Sequence, residues 1–216
     1  MNEQGSPEWI MARLGKCTAS EFHNVLTKPR SGDGLSKTAR SYELDLIAET
    51  LTLEPQNVFS SKATEWGKEH EDDAIALYEE VAQVKVERVG FIERPDLPGV
   101  GCSPDGLVVN DCGGVEVKCP YNSRVHLEYL LGGVCPEKHI AQAHGCMWVT
   151  NTRWWDFCSY DPRINPDLGK NAHKLVLFRV RVLRDEKYID NLAYRVASFL
   201  DVLRADLDKL TQRMNK

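Results

Sequence analysis

Apolar positions along the chain fall into two periods, and their order outlines an α/β domain. Helical spacing is predicted over Pro7–Leu26, Thr38–Leu51 and Ser61–Val81. β-Branched and alternating runs then predict strands at Val84–Glu93, Gly99–Val109 and Val115–Lys118. Helices follow at Arg124–Leu131 and Lys138–Val149, with two more strands at Trp154–Tyr160 and Lys174–Leu183, the second in strict alternation. A long closing helix, Tyr188–Leu210, carries Ile189, Leu192, Val196, Phe199, Leu203 and Leu207 on one stripe. Pro162–Asn171 is polar and turn-rich and reads as an exposed loop. No repeat, low-complexity tract or linker divides the 216 residues. One domain, 1–216, is expected, with a mixed sheet flanked by helices and a hairpin at its centre.

The chemistry concentrates in that hairpin. Leu107-Val108-Val109 and Val115-Glu116-Val117 flank Asn110-Asp111-Cys112-Gly113-Gly114, a turn-forming stretch. With Asn110-Asp111 as the turn, Val109 pairs with Cys112 and Asp105 with Glu116; a bulge at the Gly-Gly pair would shift this by one. Opposed residues have Cβ atoms roughly 5 Å apart, close enough for two carboxylates to share one cation. Alternation puts Lys118 on the face of Glu116 and turns Val115 and Val117 to the other. A phosphodiester repels an attacking hydroxide. Hard divalent cations held by carboxylates screen that charge, lower the pKa of bound water and stabilise the leaving oxygen. A lysine beside them orients the water as an ammonium or deprotonates it as the neutral amine. Asp105, Glu116 and Lys118 are therefore candidates for a magnesium site that cuts phosphodiesters, the plain alternative being solvated charges on an edge hairpin.

Two residues elsewhere add to the trio. A helical stripe through Ala63, Gly67, Ala74 and Tyr78 also contains Glu71, while most acids around it face water. Gln142 lies in the expected helix Lys138–Val149, on a face with small and apolar neighbours. Periodicity alone leaves both open, as a carboxylate at the stripe's edge and a surface glutamine.

Composition sets the surroundings. A hydrophobic content of 42% is enough for a sizeable core. No stretch reaches transmembrane length, and Met1-Asn2-Glu3-Gln4-Gly5 lacks the blocks of a signal peptide, so a soluble cytoplasmic protein with no membrane contact is expected. Seven scattered cysteines without a Cys-x-x-Cys argue against a disulfide framework, zinc ribbon or iron–sulfur cluster. Cys135 and His139 have ligand-like spacing but no second pair. The net charge of -5 looks awkward for a DNA enzyme, yet phosphate binding depends on local charge. Between Met11 and Arg40 lie Arg13, Lys16, Lys28, Arg30, Lys37 and Arg40 against only Glu21 and Asp33, whereas acids gather between Glu65 and Glu80.

An acid on a preceding helix, then Pro-Asp, a spacer, Glu-x-Lys and a glutamine on the following helix resembles the PD-(D/E)xK nuclease superfamily. Within it the chain is closely similar to the phage lambda exonuclease group of viral recombination nucleases, the YqaJ-like family. The matching segments begin with Arg13-Leu14-Gly15, Thr18-Ala19-Ser20-Glu21 and Lys28-Pro29-Arg30-Ser31-Gly32, then Trp66-Gly67-Lys68 with Glu71. They go on through Cys102-Ser103-Pro104-Asp105-Gly106-Leu107, Glu116-Val117-Lys118-Cys119-Pro120, Ala141-Gln142 and Met147-Trp148-Val149-Thr150. Tyr160-Asp161-Pro162-Arg163 and Arg184-Asp185-Glu186-Lys187-Tyr188 complete them. Each is a weak signal alone; one order across most of the chain is a strong one.

The resemblance implies a restriction-endonuclease-like core and a role for each matching residue. Asp105, Glu116 and the carbonyl of Val117 are implied as ligands of two Mg2+ ions, with Mn2+ an expected substitute and Glu71 supporting the site. Lys118 matches the catalytic lysine beside the attacking water, and Gln142 the glutamine that positions lysine or water. Arg13, Ser20 and Ser103 match a pocket for the terminal 5′-phosphate, a role suited to an arginine fork and hydroxyl donors. Arg30 matches a DNA-contacting arginine. Thr64 departs from the family, standing where the lambda enzyme carries an apolar strand-parting residue, and His144 replaces a second glutamine and reads as a core histidine.

The function so implied is a phage- or prophage-encoded exonuclease acting on double-stranded DNA ends from 5′ to 3′. It would release 5′-mononucleotides and leave 3′ tails for recombination, with a homotrimeric ring and a single-strand annealing protein as partner. Trp154 and Trp155 are read as exposed apolar side chains available to such an assembly. Two alternatives stand beside it: a restriction-type endonuclease, which needs no terminal phosphate pocket, and a non-catalytic DNA-end-binding scaffold.

Overall fold

The computed structural model describes residues 3–32, 34–56, 61–169 and 171–214. Met1, Asn2, Asp33 and Lys170, which fall in the expected start, basic segment and loop, lie outside the described residues. The chain runs through α1 (Pro7–Arg13), β1 (Cys17–Thr18), a 3-10 turn (Ala19–Glu21), α2 (Phe22–Leu26), α3 (Lys37–Thr52) and α4 (Lys62–Ala82). Next come β2 (Val86–Glu87), β3 (Ile92–Glu93), β4 (Val100–Cys102), β5 (Gly106–Val108) and β6 (Gly113–Lys118). It closes with α5 (Ser123–Gly132), α6 (Glu137–Thr150), β7 (Trp154–Tyr160), α7 (His173–Val176), β8 (Leu177–Leu183) and α8 (Glu186–Met214). Serine hydroxyls start three of the described helices: Ser6 accepts from the Trp9 N–H at 3.2 Å, Ser36 from the Ala39 N–H at 3.1 Å, and Ser61 from the Thr64 N–H at 3.2 Å.

Among the described residues the strands form two sheets. The larger has the order β2-β5-β6-β7-β8, with only β6 and β7 parallel; the smaller has the order β1-β4-β3. Both faces of the larger sheet are covered, which is why every residue of β7 is buried. On one face Trp155, Phe157, Phe178 and Val182 join a core with α2, α3, α6 and α8. On the other, Val115, Val117, Trp154 and Cys158 pack under Ala74, Ile75 and Tyr78 of α4. A buried polar tie fixes α4 in place: the Tyr78 hydroxyl donates to Asp156 at 2.9 Å, and Arg181 grips the same carboxylate at 2.8 and 2.9 Å. The expected stripe of the last helix is buried from Ile189 through Leu203, and Leu207 packs partly buried against it.

Four expectations are corrected. Pro7–Leu26 is not one helix: it breaks at Gly15 (φ 67°), where any Cβ would strike Thr50, and a two-residue strand and 3-10 turn intervene before α2. Val84–Glu93 and Gly99–Val109 are each two short strands, split between the sheets. In the second case the break falls at Ser103-Pro104-Asp105, where proline has no N–H for a ladder. The start of Lys174–Leu183 is the end of α7, and the strand begins only at Leu177.

The fourth correction concerns the tryptophans. Trp154 and Trp155 are buried, 7% and 0% exposed, and lie beside Gly113 and Gly114 of β6. The Gly-Gly pair therefore forms no bulge; it makes room for two indole rings, which a Cβ at either glycine would meet. Gly114→Ala is expected to cost about 1–3 kcal/mol through overpacking against Trp155, read as a lower urea midpoint with an unchanged slope.

Candidate active site

The hairpin register brings the site together. β5 and β6 pair Gly106 with Val115 and Leu107 with Gly114, and the next step places Asp105 opposite Glu116. Asn110 takes the left-handed conformation (φ 60°) that a tight hairpin turn asks of its first residue. Val115 and Val117 point into the core under α4, so alternation turns Glu116 and Lys118 to the opposite face. Asp105 is 9% exposed and Glu116 3%. The Val117 N–H donates to Asp105 Oδ2 at 2.7 Å, and the Lys118 ammonium pairs with Glu116 Oε1. Glu116 Oε2 is buried with no hydrogen-bond partner among the described residues. Such an oxygen is costly unless something positive meets it.

The electrostatics follow from this packing. Burial first, and then the facing Glu116, hold the Asp105 pKa well above the ordinary carboxylate range. For Lys118 burial opposes the charge, but Glu116 and Asp105 together outweigh it, and its pKa rises. In the metal-free chain Lys118 is thus an ammonium at neutral pH. Glu71 acts on Asp105 and Lys118 at a distance, while its own carboxylate pairs with Arg88. Among the described residues no three His, Cys, Asp or Glu side chains form a metal-holding group. The oxygens that could hold a cation are the Asp105 and Glu116 carboxylates and the backbone carbonyl of Val117, a hard set of the kind that suits Mg2+. The buried, unpartnered oxygen of Glu116 beside a second carboxylate fits a cation there.

One cavity opens on this centre and a second adjoins the first. The first, of about 400 Å³, is lined by Gly67, Glu71, Val117, Lys118, Tyr129 and His139; the second, of about 450 Å³, by Trp9, Arg13, Lys16, Thr18 and Tyr42. Thr64 and Lys68 of α4 line both, so one helix face joins them. A depression of about 700 Å³ at the far end of the hairpin, around Glu79, Lys85 and Asp111, contains none of the candidate residues.

Arg13 of the second cavity reaches Ser103, which does not line that cavity. Arg13 donates to Ser103 Oγ at 2.8 Å and the Trp9 indole N–H donates to the same oxygen at 3.0 Å. With both lone pairs taken, the serine hydrogen is left to donate outward. Arg13 also stacks on the Trp9 ring at 4.4 Å. Ser20 lies within 3.2 Å of the Thr18 hydroxyl, next to this cavity. Arg30 is exposed in the loop after α2, apart from the lining of either cavity.

Gln142 is half-buried and hydrogen-bonds the His139 ring. His139 is stacked on Phe157 (4.8 Å between centroids) and sits beside Lys118; burial first, then that ammonium, push its pKa down to about 3, so it is neutral. The Cys135 sulfur lies against the carbonyl of its own neighbour Pro136. His144 is a core histidine, its Nδ1 on the Ile140 carbonyl (3.1 Å) and its ring against Tyr188. Sequence reasoning missed Trp9 and Arg88, noted Lys68 only within a matching segment, and read His139 beside Cys135 and not beside Gln142. The spacing of His139, three residues before Gln142 on one helix face, was the available signal for the latter pairing.

Sheet, hairpin and carboxylate-lysine centre define the class, a nuclease with the restriction-endonuclease-like fold. The chain belongs to the YqaJ-like viral recombinase domain family, whose pattern matches residues 8–153. It is 33% identical to an alkaline exonuclease (LHK-Exo) from Laribacter hongkongensis, covering 97% of this chain and 98% of that one, with a TM-score of 0.85. The structure of LHK-Exo in complex with dAMP gives 34% identity and a TM-score of 0.86. A phage related exonuclease from Haemophilus somnus 129PT shares the fold (TM-score 0.68, 18% identity, 92% of this chain and 96% of that one). Among curated proteins no match is found.

Proposed function

We propose that the chain, a DNA exonuclease by family and by full-length likeness, is magnesium-dependent and digests one strand of linear duplex DNA from the 5′ end. It releases 5′-mononucleotides and leaves a 3′ single-stranded tail for recombination by strand annealing. One observation supports this most. The buried Asp105–Glu116 pair, with its unpartnered oxygen, lies beside a groove that shares Thr64 and Lys68 with a pocket built around Arg13. A cutting centre alone suits any nuclease, whereas a neighbouring anion pocket fixes a chain end relative to the bond to be cut.

Asp105, Glu116 and the Val117 carbonyl would hold the metal, which when bound screens phosphate charge, acidifies water and stabilises the leaving oxygen. Lys118, held by Glu116, orients the attacking water, and Gln142, anchored on His139, steadies that arrangement. Glu71 supports the site through its field. Arg13, Ser103 and Ser20 bind the terminal 5′-phosphate, with the free hydrogen of Ser103 donating to a phosphate oxygen. Arg30 reaches DNA from its loop, and Thr64 stands where the strands part. A homotrimeric ring enclosing the duplex, an annealing protein as partner and a setting in the host cytoplasm complete the reading.

Three DNAs test it in the presence of magnesium. Linear duplex with a 5′-phosphate is expected to lose one strand rapidly, linear duplex with a 5′-hydroxyl more slowly, and a covalently closed circle not at all. Cutting of the circle would instead mark an endonuclease, and no hydrolysis of any substrate a non-catalytic scaffold.

A further inference from the structure

Tyr160-Asp161-Pro162-Arg163 takes no part in the metal site or the phosphate pocket, yet its arginine is a clasp. The Arg163 guanidinium is bidentate to the buried Asp161 at 2.7 and 2.8 Å. It donates to the carbonyls of Pro120 at 3.0 Å and Tyr121 at 2.8 Å, and stacks on the Trp66 ring at 4.4 Å. The loop that leaves β6 just beyond Lys118 is thereby fastened to α4 and to the end of β7. What this loop presents is Tyr121. Its ring stands edge-on to Trp66, with centroids 6.1 Å apart and planes at 79°, and the residue is 50% exposed. Pro120 and Gly67, the chain neighbours of the two rings, line the groove that contains Lys118.

A single exposed tyrosine is ordinary. This one differs because its backbone carbonyl is held by a guanidinium fork, its ring rests on a second aromatic, and it stands at the rim of the groove beside the cutting centre. The geometry points to a nucleobase-stacking subsite, in which Tyr121 stacks on a base of the strand lying in the groove, next to the bond beside Lys118. Every base has a π-face, so such a platform adds affinity without sequence preference, as an enzyme that digests any sequence requires. Fastening the loop in advance removes the cost of ordering it on binding. Arg163 is the positioning residue behind the platform. The subsite rests on the nuclease reading above.

The test uses the full chain carrying Lys118→Ala, which binds DNA uncut, and 5′-phosphorylated duplexes with 2-aminopurine at each of the first three positions of the 5′ strand. Stacking quenches the fluorescence of this base. Quenching at one position is expected with Tyr121 and with Tyr121→Phe, and is expected to be lost in Tyr121→Ala and Tyr121→Leu, with binding weakened roughly tenfold to a hundredfold. Tyr121→Leu keeps an apolar side chain against Trp66, and an unchanged melting temperature separates lost stacking from lost fold. Equal quenching and affinity in Tyr121→Leu, or loss of quenching in Tyr121→Phe, overturns the subsite and leaves the nuclease reading standing. If the Lys118→Ala chain binds no duplex ends, the nuclease reading and the subsite fall together.

Discussion

Replacing Lys118 with alanine is expected to slow strand cleavage by about 10²- to 10³-fold, the usual cost of removing one preorganised donor from an active site, while leaving binding to DNA ends intact. The ammonium is pinned by Glu116 on the face shared with Asp105, and in the metal-free chain that carboxylate and Asp105 raise its pKa. Removing it takes away the donor that orients water. The proposed phosphate anchor pairs Arg13, which lines a separate cavity, with Ser103, and is untouched. The loss should therefore appear in the single-turnover rate at saturating enzyme and not in the dissociation constant. Lys118→Arg is expected to rescue little, because a planar fork cannot occupy the place of a compact ammonium. Full single-turnover activity in Lys118→Ala would remove the residue from the mechanism.

Asp105→Asn is expected to abolish magnesium-dependent cleavage without unfolding the protein. In the metal-free chain Asp105 is buried against Glu116, and its pKa is raised above that of the unfolded chain. From the ordinary carboxylate pKa upward the folded state then binds more protons than the unfolded state, so this group's contribution falls as pH rises. Asparagine removes that penalty and still accepts the Val117 N–H. Metal-free Asp105→Asn should accordingly melt at or above the wild-type temperature at pH 8. With metal the order reverses. A ligand bound only by the folded state stabilises it by about 2.7 kcal/mol at a hundredfold excess over its dissociation constant, and the asparagine chain should lose most of that increment. Scanning calorimetry with and without Mg2+ or Mn2+ reads both effects. Equal metal stabilisation in the two proteins would place the cation elsewhere.

The hairpin was the most legible part of the chain. Its register follows from one turn, Asn110-Asp111, and the period of two, and both are local; Asp105 opposite Glu116 needs nothing from the rest of the fold. The long helices were equally readable, because each buries a single stripe against one core. Legibility failed where two local rules met a third element. The continuous pattern of Gly99–Val109 conceals a change of sheet, since both halves are apolar for different partners. Gly113-Gly114 allows a bulge when read in isolation, yet its reason lies on β7, in the indoles of Trp154 and Trp155. Glu71 was found from its stripe, but its partner Arg88 was not, because the pair joins a helix to a loop seventeen residues on.

What the sequence determined by itself is the chemistry: a carboxylate pair, a lysine on the same face, and a basic amino-terminal segment suited to phosphate. These depend on residue type and short spacing, which local backbone geometry converts directly into position. The tertiary structure alone decided how those parts combine. It brought Ser103 from the sheet crossover onto Arg13 of α1, ninety residues away, set α4 as the common wall of two cavities, and fastened Tyr121 to Trp66 through Arg163. Each of these contacts joins segments whose local patterns are satisfied independently. Only the packing of helices on both faces of the mixed sheet selects which surfaces meet.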